Sequence, residues 1–372
     1  MFLALREMRH SKARYLLIMV IMLLVSFLVL FVTGLARGLA YANISAVENM
    51  PTNYFVVQGD ADQTFRRSQL TDSELRNVRA VVGDNNASSL AMQMSTVTAK
   101  DSDVKVDVTF FAVDMKGLLA PKVIEGDRIT NDTQGSVIVD RDLEHSGIKL
   151  GSIIHDQATG MEFKVTGFVE DSSYSHTPVV YITNKDWQAM RQGVNQKGAA
   201  SASVPFNVIA LNANADQVDK ISTNVKNVEV ITQKEAVSNV PGYSEEQGSL
   251  LMMIAFLFVI AGFVLAVFFY VITIQKTSQF GILKAMGTKM SYLAWSVVGQ
   301  VMMLAVSSLC ISLVLTFGMN QVLPDSMPFQ LEPSTILLTS GLFVGMSLLG
   351  SLISVAKVAK IDALEAIGRA GA

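Results

Sequence analysis

Apolar residues gather into four long runs along this 372-residue chain, at 16–36, 250–274, 293–317 and 335–356. Each can cross a bilayer, which takes ~20 apolar residues. A polar, water-compatible stretch separates the first run from the second. The pattern predicts a membrane protein with four transmembrane α-helices in a 1+3 arrangement and a large mixed α/β domain between the first and second. The expected spans are 16–37, 249–274, 292–317 and 335–356. The domain is expected over 43–246, and shorter segments over 1–15, 275–291, 318–334 and 357–372.

Shorter patterns predict elements inside the domain. Thr71-Asp72-Ser73-Glu74 is a capping box that opens a helix through about Val82. Val104, Val106, Val108 and Phe110 alternate with Lys105, Asp107 and Thr109, as in a half-buried strand. Residues 153–156 and 162–169 flank Gln157-Ala158-Thr159-Gly160, which reads as a hairpin turn. Residues 54–57, 178–183 and 206–212 read as further strands, 213–225 as a helix, and the Gly/Ala/Ser/Gln-rich segment 192–203 as a loop. Residues 1–15 place Phe2, Leu5 and Met8 on one helical face beside Arg6, Arg9, Lys12 and Arg14. They read either as an amphipathic helix on anionic lipid or as a basic flank that sets topology. In the fourth run Gly341 and Gly345, near Ser340, Ser347 and Gly350, suit close helix approach.

Charge gives these runs an orientation. The segments before the first run, between the second and third, and after the fourth hold 10 bases and 3 acids. The loop between the third and fourth holds Asp325 and Glu332 and no base. Cytoplasmic flanks carry the Lys/Arg excess, so both termini and the 275–291 segment are expected inside and the domain outside. Residues 43–246 hold 27 acids and 18 bases, a balance unsuited to nucleic acid. Ala40-Tyr41-Ala42 offers a small-x-small cleavage site, but the apolar run before it is too long for a signal peptide and Arg37 interrupts it. The single cysteine, Cys310, falls mid-run and reads as a small packing residue; no disulfide within the chain can form.

Familiar catalytic motifs are missing. The chain has no phosphate-binding G-x-x-x-x-G-K-[ST] loop, no H-E-x-x-H, no Cys/His zinc spacing and no G-x-S-x-G. It reads as a non-enzyme whose work is driven from elsewhere. The segment from Gln275 to Gly287 is the strongest local signal: Phe280, Leu283 and Met286 or Ile282 form an apolar stripe beside Lys276, Lys284 and Lys289. A short amphipathic helix of this kind offers a face to a cytosolic groove; a plain turn would need no stripe.

These residues carry a resemblance. The 1+3 layout, the large intervening domain and Phe280-Gly281-Ile282-Leu283-Lys284-Ala285-Met286-Gly287 resemble ABC transporter permeases of the MacB/FtsX/LolC type. So do ALREMRHSKARY at the start, LGSIIHDQATGMEFKVTGFVED in the domain and AKIDALEAI at the end, although Ala363 stands where a proline is common in that family. The resemblance covers essentially the whole chain. It implies a multi-pass protein of the bacterial cell membrane, a homodimer, with two copies of a separate ABC ATPase docked through Phe280, Gly281, Leu283, Lys284 and Gly287. MFLALREMRHSKARYLL, NVPGYSEEQGSLLMMI and AVFFYVITIQKTSQFGILKAMG are similar to a haem-exporting branch in Gram-positive bacteria, the HrtB type. That branch implies haem as transported cargo taken from the lipid, with no resident cofactor.

Two stretches supply groups for ferric haem, whose iron takes His, Tyr, Met or carboxylate ligands. One is Tyr243-Ser244-Glu245-Glu246, followed by Met252 and Met253; the other is Ser173-Tyr174-Ser175-His176. A carboxylate at a lipid boundary is costly unless paired or ligating. From the residues alone, Glu245 and Glu246 either bind a ligand or mark a water-facing helix start, where acids suit the helix dipole. The resemblance favours Glu246 and Tyr174 as iron ligands. His176, Met252 and Met253 are secondary candidates, each with a plain hydrogen-bonding or packing role as its alternative. Phe55 either stacks on a porphyrin or packs in its strand. The reading is the permease subunit of an ABC-type haem exporter. Its rivals are an FtsX-like regulator that switches an outer partner and an exporter of an antibiotic or peptide.

Overall fold

The computed structural model describes residues 12–100, 104–194, 204–324 and 327–359. They divide into two compact units, one of Leu39–Gln247 and one of the residues on either side. The elements in chain order are α1 (Lys12–Glu48), β1 (Tyr54–Gln58), α2 (Asp72–Val82), β2 (Ala87–Ala99), β3 (Lys105–Val113), β4 (Glu125–Gly126), β5 (Ser136–Asp140), β6 (Ile153–Asp156), β7 (Glu162–Val169), β8 (Ser173–Tyr174), β9 (Thr177–Thr183) and α3 (Asn184–Val194). There follow β10 (Val208–Leu211), α4 (Ala215–Asn224), β11 (Val228–Thr232), α5 (Gln233–Ser238), α6 (Tyr243–Gln275), α7 (Thr277–Ala285), α8 (Met290–Asn320) and α9 (Pro333–Ala359).

The four apolar runs are four helices long and apolar enough to span a membrane. The helices outrun the apolar stretches. α1 continues for 37 residues, about 55 Å at 1.5 Å per residue, and α6 begins at Tyr243, ahead of its apolar stretch. Tyr15, Ile18, Met22 and Leu30 of α1, Phe269 of α6, Leu304 and Ala305 of α8 and Phe343 of α9 share one buried cluster. Polar pairs cross between helices, Ser26 Oγ to Ser312 Oγ at 3.0 Å and Ser354 Oγ to Thr273 Oγ1 at 2.7 Å. Such pairs join helices where lipid offers no partner.

Some expectations are corrected here. Gly341 and Gly345 face open space, whereas a Cβ on Gly350 would lie 3.1 Å from the Phe269 ring. The close approach falls instead on Gly34 and Gly38 of α1: a Cβ at Gly38 would lie 2.3 Å from the Pro328 carbonyl oxygen. The loop before α9 lies on that glycine face. Gln330 N donates to Gly34 O at 3.1 Å, and Arg37 pairs with Glu332 at 2.7 Å. Cys310 is exposed on α8 and is not buried between the helices of this chain. The 1–15 helix falls largely outside the described residues, and its described part, from Lys12, belongs to α1. The segment expected as a loop from 192 is helical to Val194; the rest of it lies outside the described residues.

The domain is built from two linked parts. β1-α2-β2 and β10-α4-β11 form an antiparallel sheet in the order β11-β1-β10-β2, a split βαβ pair of ferredoxin-like type. Period-two alternation sorts its two faces. Val56 joins Leu75, Val78 and Val82 of α2 and Ile221 of α4, while Phe55 and Val57 join Ile44 and Val47 of α1 and Ala236 of α5. The capping box at Thr71 is present as expected, and α2 ends at Val82.

The chain between β2 and β10 makes the second part. β2 pairs with β10 at its start, with β6 at its end, and with β3 along its other edge. β3 pairs with β9, β9 with β5, β5 with β7 and β7 with β6. The ring β2-β3-β9-β5-β7-β6 is therefore closed, and closure removes exposed sheet edges. Phe110 and Phe163 meet at a tilt in the core, 5.7 Å between centroids. The 157–160 turn joins β6 and β7 as expected. β3 alternates only in its first half; from Val108 to Val113 both faces are buried, and Val104 lies outside the strand.

Candidate functional site

Three chain segments within the domain unit converge on Glu246. α1 supplies Asn43, the β8–β9 turn supplies His176, and the first turn of α6 supplies Glu246 itself. Glu246 Oε2 accepts from Asn43 Nδ2 at 2.9 Å and lies 2.9 Å from His176 Nε2. Among the described residues nothing hydrogen-bonds to Oε1. The side chains of His176 and Glu246 are 42% and 17% exposed, so the pair is reachable from outside while Asn43, at 1%, lies beneath it. Asn43 Oδ1 has no partner among the described residues.

The turn that presents His176 is tightly made. Ser175 and His176 are the two central residues of a two-residue hairpin and both have positive φ, 51° and 61°, the requirement of a type I′ turn. Neither is glycine, so the left-handed backbone costs about 1 kcal/mol or more per residue. Bonds on all sides hold it. Ser173 N donates to Ser45 Oγ at 2.8 Å, Ser175 N to Asn43 O at 2.8 Å, Ser175 Oγ to Pro241 O at 3.3 Å and Thr177 Oγ1 to Tyr174 O at 2.7 Å. Asn43 therefore holds both partners, Ser175 through its backbone and Glu246 through its amide.

Tyr174 and Phe55 are corrected. Tyr174 is 1% exposed, packs in the core that also holds Phe55, and meets Phe111 edge-on at 5.9 Å. Burial pushes its phenol pKa well above the usual range, the reverse of what an iron phenolate needs. Phe55 is fully buried and lies 5.2 Å from Phe65; it has no free face for a porphyrin. Both anchor the scaffold. Glu245 is exposed on the first turn of α6. Met252 and Met253 are exposed on the apolar part of α6. Asn43 is the member that sequence reasoning missed; its only sign was an amide in the helix that follows an apolar run.

The 275–291 segment contains α7, with Lys276 as its N-cap residue and Gly287 beyond its end at φ 89°. The stripe is turned from its expected direction. Gly281 is buried and Phe280 and Leu283 are half-buried, while Ile282 and Met286, four apart, are exposed with Lys284.

A separate open cleft of about 440 Å³ in the domain is lined by Tyr41, Met50, Leu119, Lys122, Asp171 and Tyr181, among others. It contains none of Asn43, His176 and Glu246. No group of His, Cys, Asp and Glu able to hold a bare metal ion occurs among the described residues.

Comparison with known proteins adds relatives to this geometry. Residues 251–363 match the FtsX-like permease C-terminal family. A protein of Staphylococcus haemolyticus described as a hemin transport system permease, HrtB, is 32% identical over 368 residues, 99% of each chain. Its Staphylococcus epidermidis counterpart is 31% identical over the same length and shares. An ABC transporter permease of Mycobacterium tuberculosis is 21% identical over 372 residues, again 99% of each. Two solved domains overlap the chain weakly. The extracellular domain of the noncanonic ABC-type transporter YknZ from Gram-positive bacteria has a TM-score of 0.35 at 14% identity, covering 48% of this chain and 99% of that one. The periplasmic region of MacB from Actinobacillus actinomycetemcomitans has 0.36 at 13%, covering 52% and 95%. At those scores the likeness carries no functional argument.

Proposed function

The chain belongs to the family of FtsX-like ABC transporter permeases that includes the HrtB proteins, and from that premise we propose that it is the membrane subunit of a haem exporter. One observation carries the proposal: the Glu246 carboxylate, in the first turn of a spanning helix, lies 2.9 Å from the His176 imidazole of the β8–β9 turn. A carboxylate so placed needs a partner to offset desolvation. Ferric iron takes anionic oxygen, so Glu246 is the donor suited to it; His176 Nε2, bonded to that carboxylate, carries a proton there and steadies the oxygen instead of ligating. Glu246 Oε1 is the oxygen left for the ligand, while Asn43 steadies the other.

In this reading haem partitions into the outer leaflet and enters laterally between α1 and α6 of two subunits. No continuous polar channel is needed for such cargo. Both termini lie in the cytoplasm and the domain outside, as the Lys/Arg distribution favours. Energy comes from a separate ABC ATPase, two copies per homodimer, docked on α7 through Ile282 and Met286. Asn43 rides on α1 and Glu246 on α6, so a shift of one against the other breaks their hydrogen bond, which does not survive stretching beyond about 3.5 Å. Release follows when the ligand oxygen loses its support.

A haem difference spectrum of the detergent-purified chain tests this. The parent is expected to shift the Soret band at stoichiometric ferric haem. Glu246→Ala is expected to weaken binding about tenfold or more, the scale on which loss of a charged partner acts. No shift in the parent sinks the proposal and favours an FtsX-like regulator of an outer partner.

A further inference from the structure

Lys276 is buried to 2% exposure, although its place between two spans marked it as a cytoplasmic, topology-setting charge. Its Nζ donates to Gln300 Oε1 at 2.7 Å and to Tyr15 Oη at 2.8 Å, and lies 5.4 Å from the Tyr15 ring centroid. Tyr15 Oη donates in turn to the same Gln300 oxygen at 3.0 Å. The triad takes Tyr15 from α1, Lys276 from the α6–α7 junction and Gln300 from α8. Around it the lining is apolar, with Ile18, Phe269, Val297 and Val301 beside Tyr15 and Gln300 at a cavity of about 10 Å³, room for about one water molecule.

A buried polar group that loses its partner keeps its desolvation cost without the compensating bond. The three side chains therefore fix one another's positions, and with them the start of α7 relative to α1 and α8. A cytoplasmic turn that only set topology would leave its lysine in water. Here the lysine stands at the N-cap position of the helix whose exposed Ile282 and Met286 suit a partner, and its Nζ bonds a hydroxyl on α1, the helix that also carries Asn43.

We propose that the Tyr15–Lys276–Gln300 triad is the joint that delivers movement of α7 to α1 and α8. The inference rests on the reading of α7 as an ATPase-docking helix, and is independent of what is transported. Lys276, Tyr15 and Gln300 are positioning residues: they act on α1 and touch no cargo.

The test uses the full chain with its co-expressed ATPase in lipid nanodiscs. Single cysteines at Gln279 on α7 and at Leu28 on α1, each in a Cys310→Ala background, carry an environment-sensitive bimane. In the parent, ATP with vanadate is expected to shift both reporters. Lys276→Met keeps an unbranched side chain of similar volume and removes the donating amine. It should leave ATPase co-purification and the Gln279 response intact, while the Leu28 response falls about threefold or more, within the range found for coupling residues. Tyr15→Phe, which removes one hydroxyl and keeps the ring, should give a smaller loss, and Gln300→Leu a loss like that of Lys276→Met. These two variants carry the test if Lys276→Met does not fold. A Leu28 response that stays at the parental size in folded variants overturns the joint and leaves the docking reading standing. A parent whose Gln279 reporter ignores ATP overturns the docking reading and the joint together.

Discussion

His176 Nε2 lies 2.9 Å from Glu246 Oε2 although the two residues are 70 positions apart in sequence. The contact is built. A strained two-residue turn aims the imidazole, the backbone carbonyl of Asn43 holds the turn, and the amide of the same asparagine holds the carboxylate. Left-handed backbone at non-glycine residues persists only where its surroundings enforce it, and it clusters at functional sites.

Asn43 should therefore matter out of proportion to its own chemistry. Asn43→Leu keeps the volume and removes the donor to Glu246. Its backbone carbonyl still accepts from Ser175, so the turn should survive. Haem titration is expected to show affinity falling about fivefold or more, the scale of one lost hydrogen bond to a charged group. Affinity equal to the parent's would show that Glu246 needs no support from α1.

The face of α7 proposed to dock the ATPase is a second testable matter. Ile282 and Met286 are exposed at 52% and 69%, whereas Phe280 and Leu283 are half-buried in this chain's own structure. Ile282→Asp with Met286→Asp should abolish ATPase co-purification while the permease stays folded in the membrane, because apolar anchors dominate such interfaces. Phe280→Asp should instead lower the permease's own thermal stability. Co-purification undiminished in the double variant would place the docking surface elsewhere.

Asp140 gives the domain a pH signature. It is buried and accepts from Asp142 N at 2.9 Å and Ser172 N at 2.6 Å. Burial pushes its carboxyl up to about 7, with Asp142 and Asp171 adding like charge. An unfolded aspartate releases its proton near pH 4, as an approximate reference. Between about pH 4 and about 7 the folded domain thus keeps a proton that the unfolded chain has lost, so this group's contribution to stability falls as pH rises through that window and is flat above it. Denaturant unfolding of the purified chain at pH 5 and pH 8 should show a smaller difference in Asp140→Asn than in the parent. An unchanged difference would mean that Asp140 is ionised in the folded state throughout.

Orientation is checked in intact cells. Ala158 lies exposed in the turn between β6 and β7. Ala158→Cys in a Cys310→Ala background should react with a membrane-impermeant maleimide before lysis. Labelling only after lysis would reverse the orientation and move the capture site to the other leaflet.

Much of the architecture is written in local pattern. Four apolar runs set four helices because length and hydropathy alone decide whether a segment can satisfy its backbone in lipid. Thr71 and Glu74 cap α2, and Gln157–Gly160 turns β6 into β7, because those signals act within a few residues. What the pattern leaves open is which distant segments meet. The parallel β3–β9 pairing and the β2–β6 contact close the six-strand ring, and no short-range signal encodes either. Tyr174 carries a ligand's chemistry, yet tertiary packing buries it beside Phe111. Lys276 reads as a topology charge until Tyr15 and Gln300 meet it. Nothing near His176 names Glu246, and Asn43 lies 203 positions from the carboxylate it holds. Sequence fixes helix and strand wherever the deciding energy is local periodicity and capping. Only the tertiary structure decides the site, because its energy comes from desolvation and hydrogen bonding between groups that folding alone brings together.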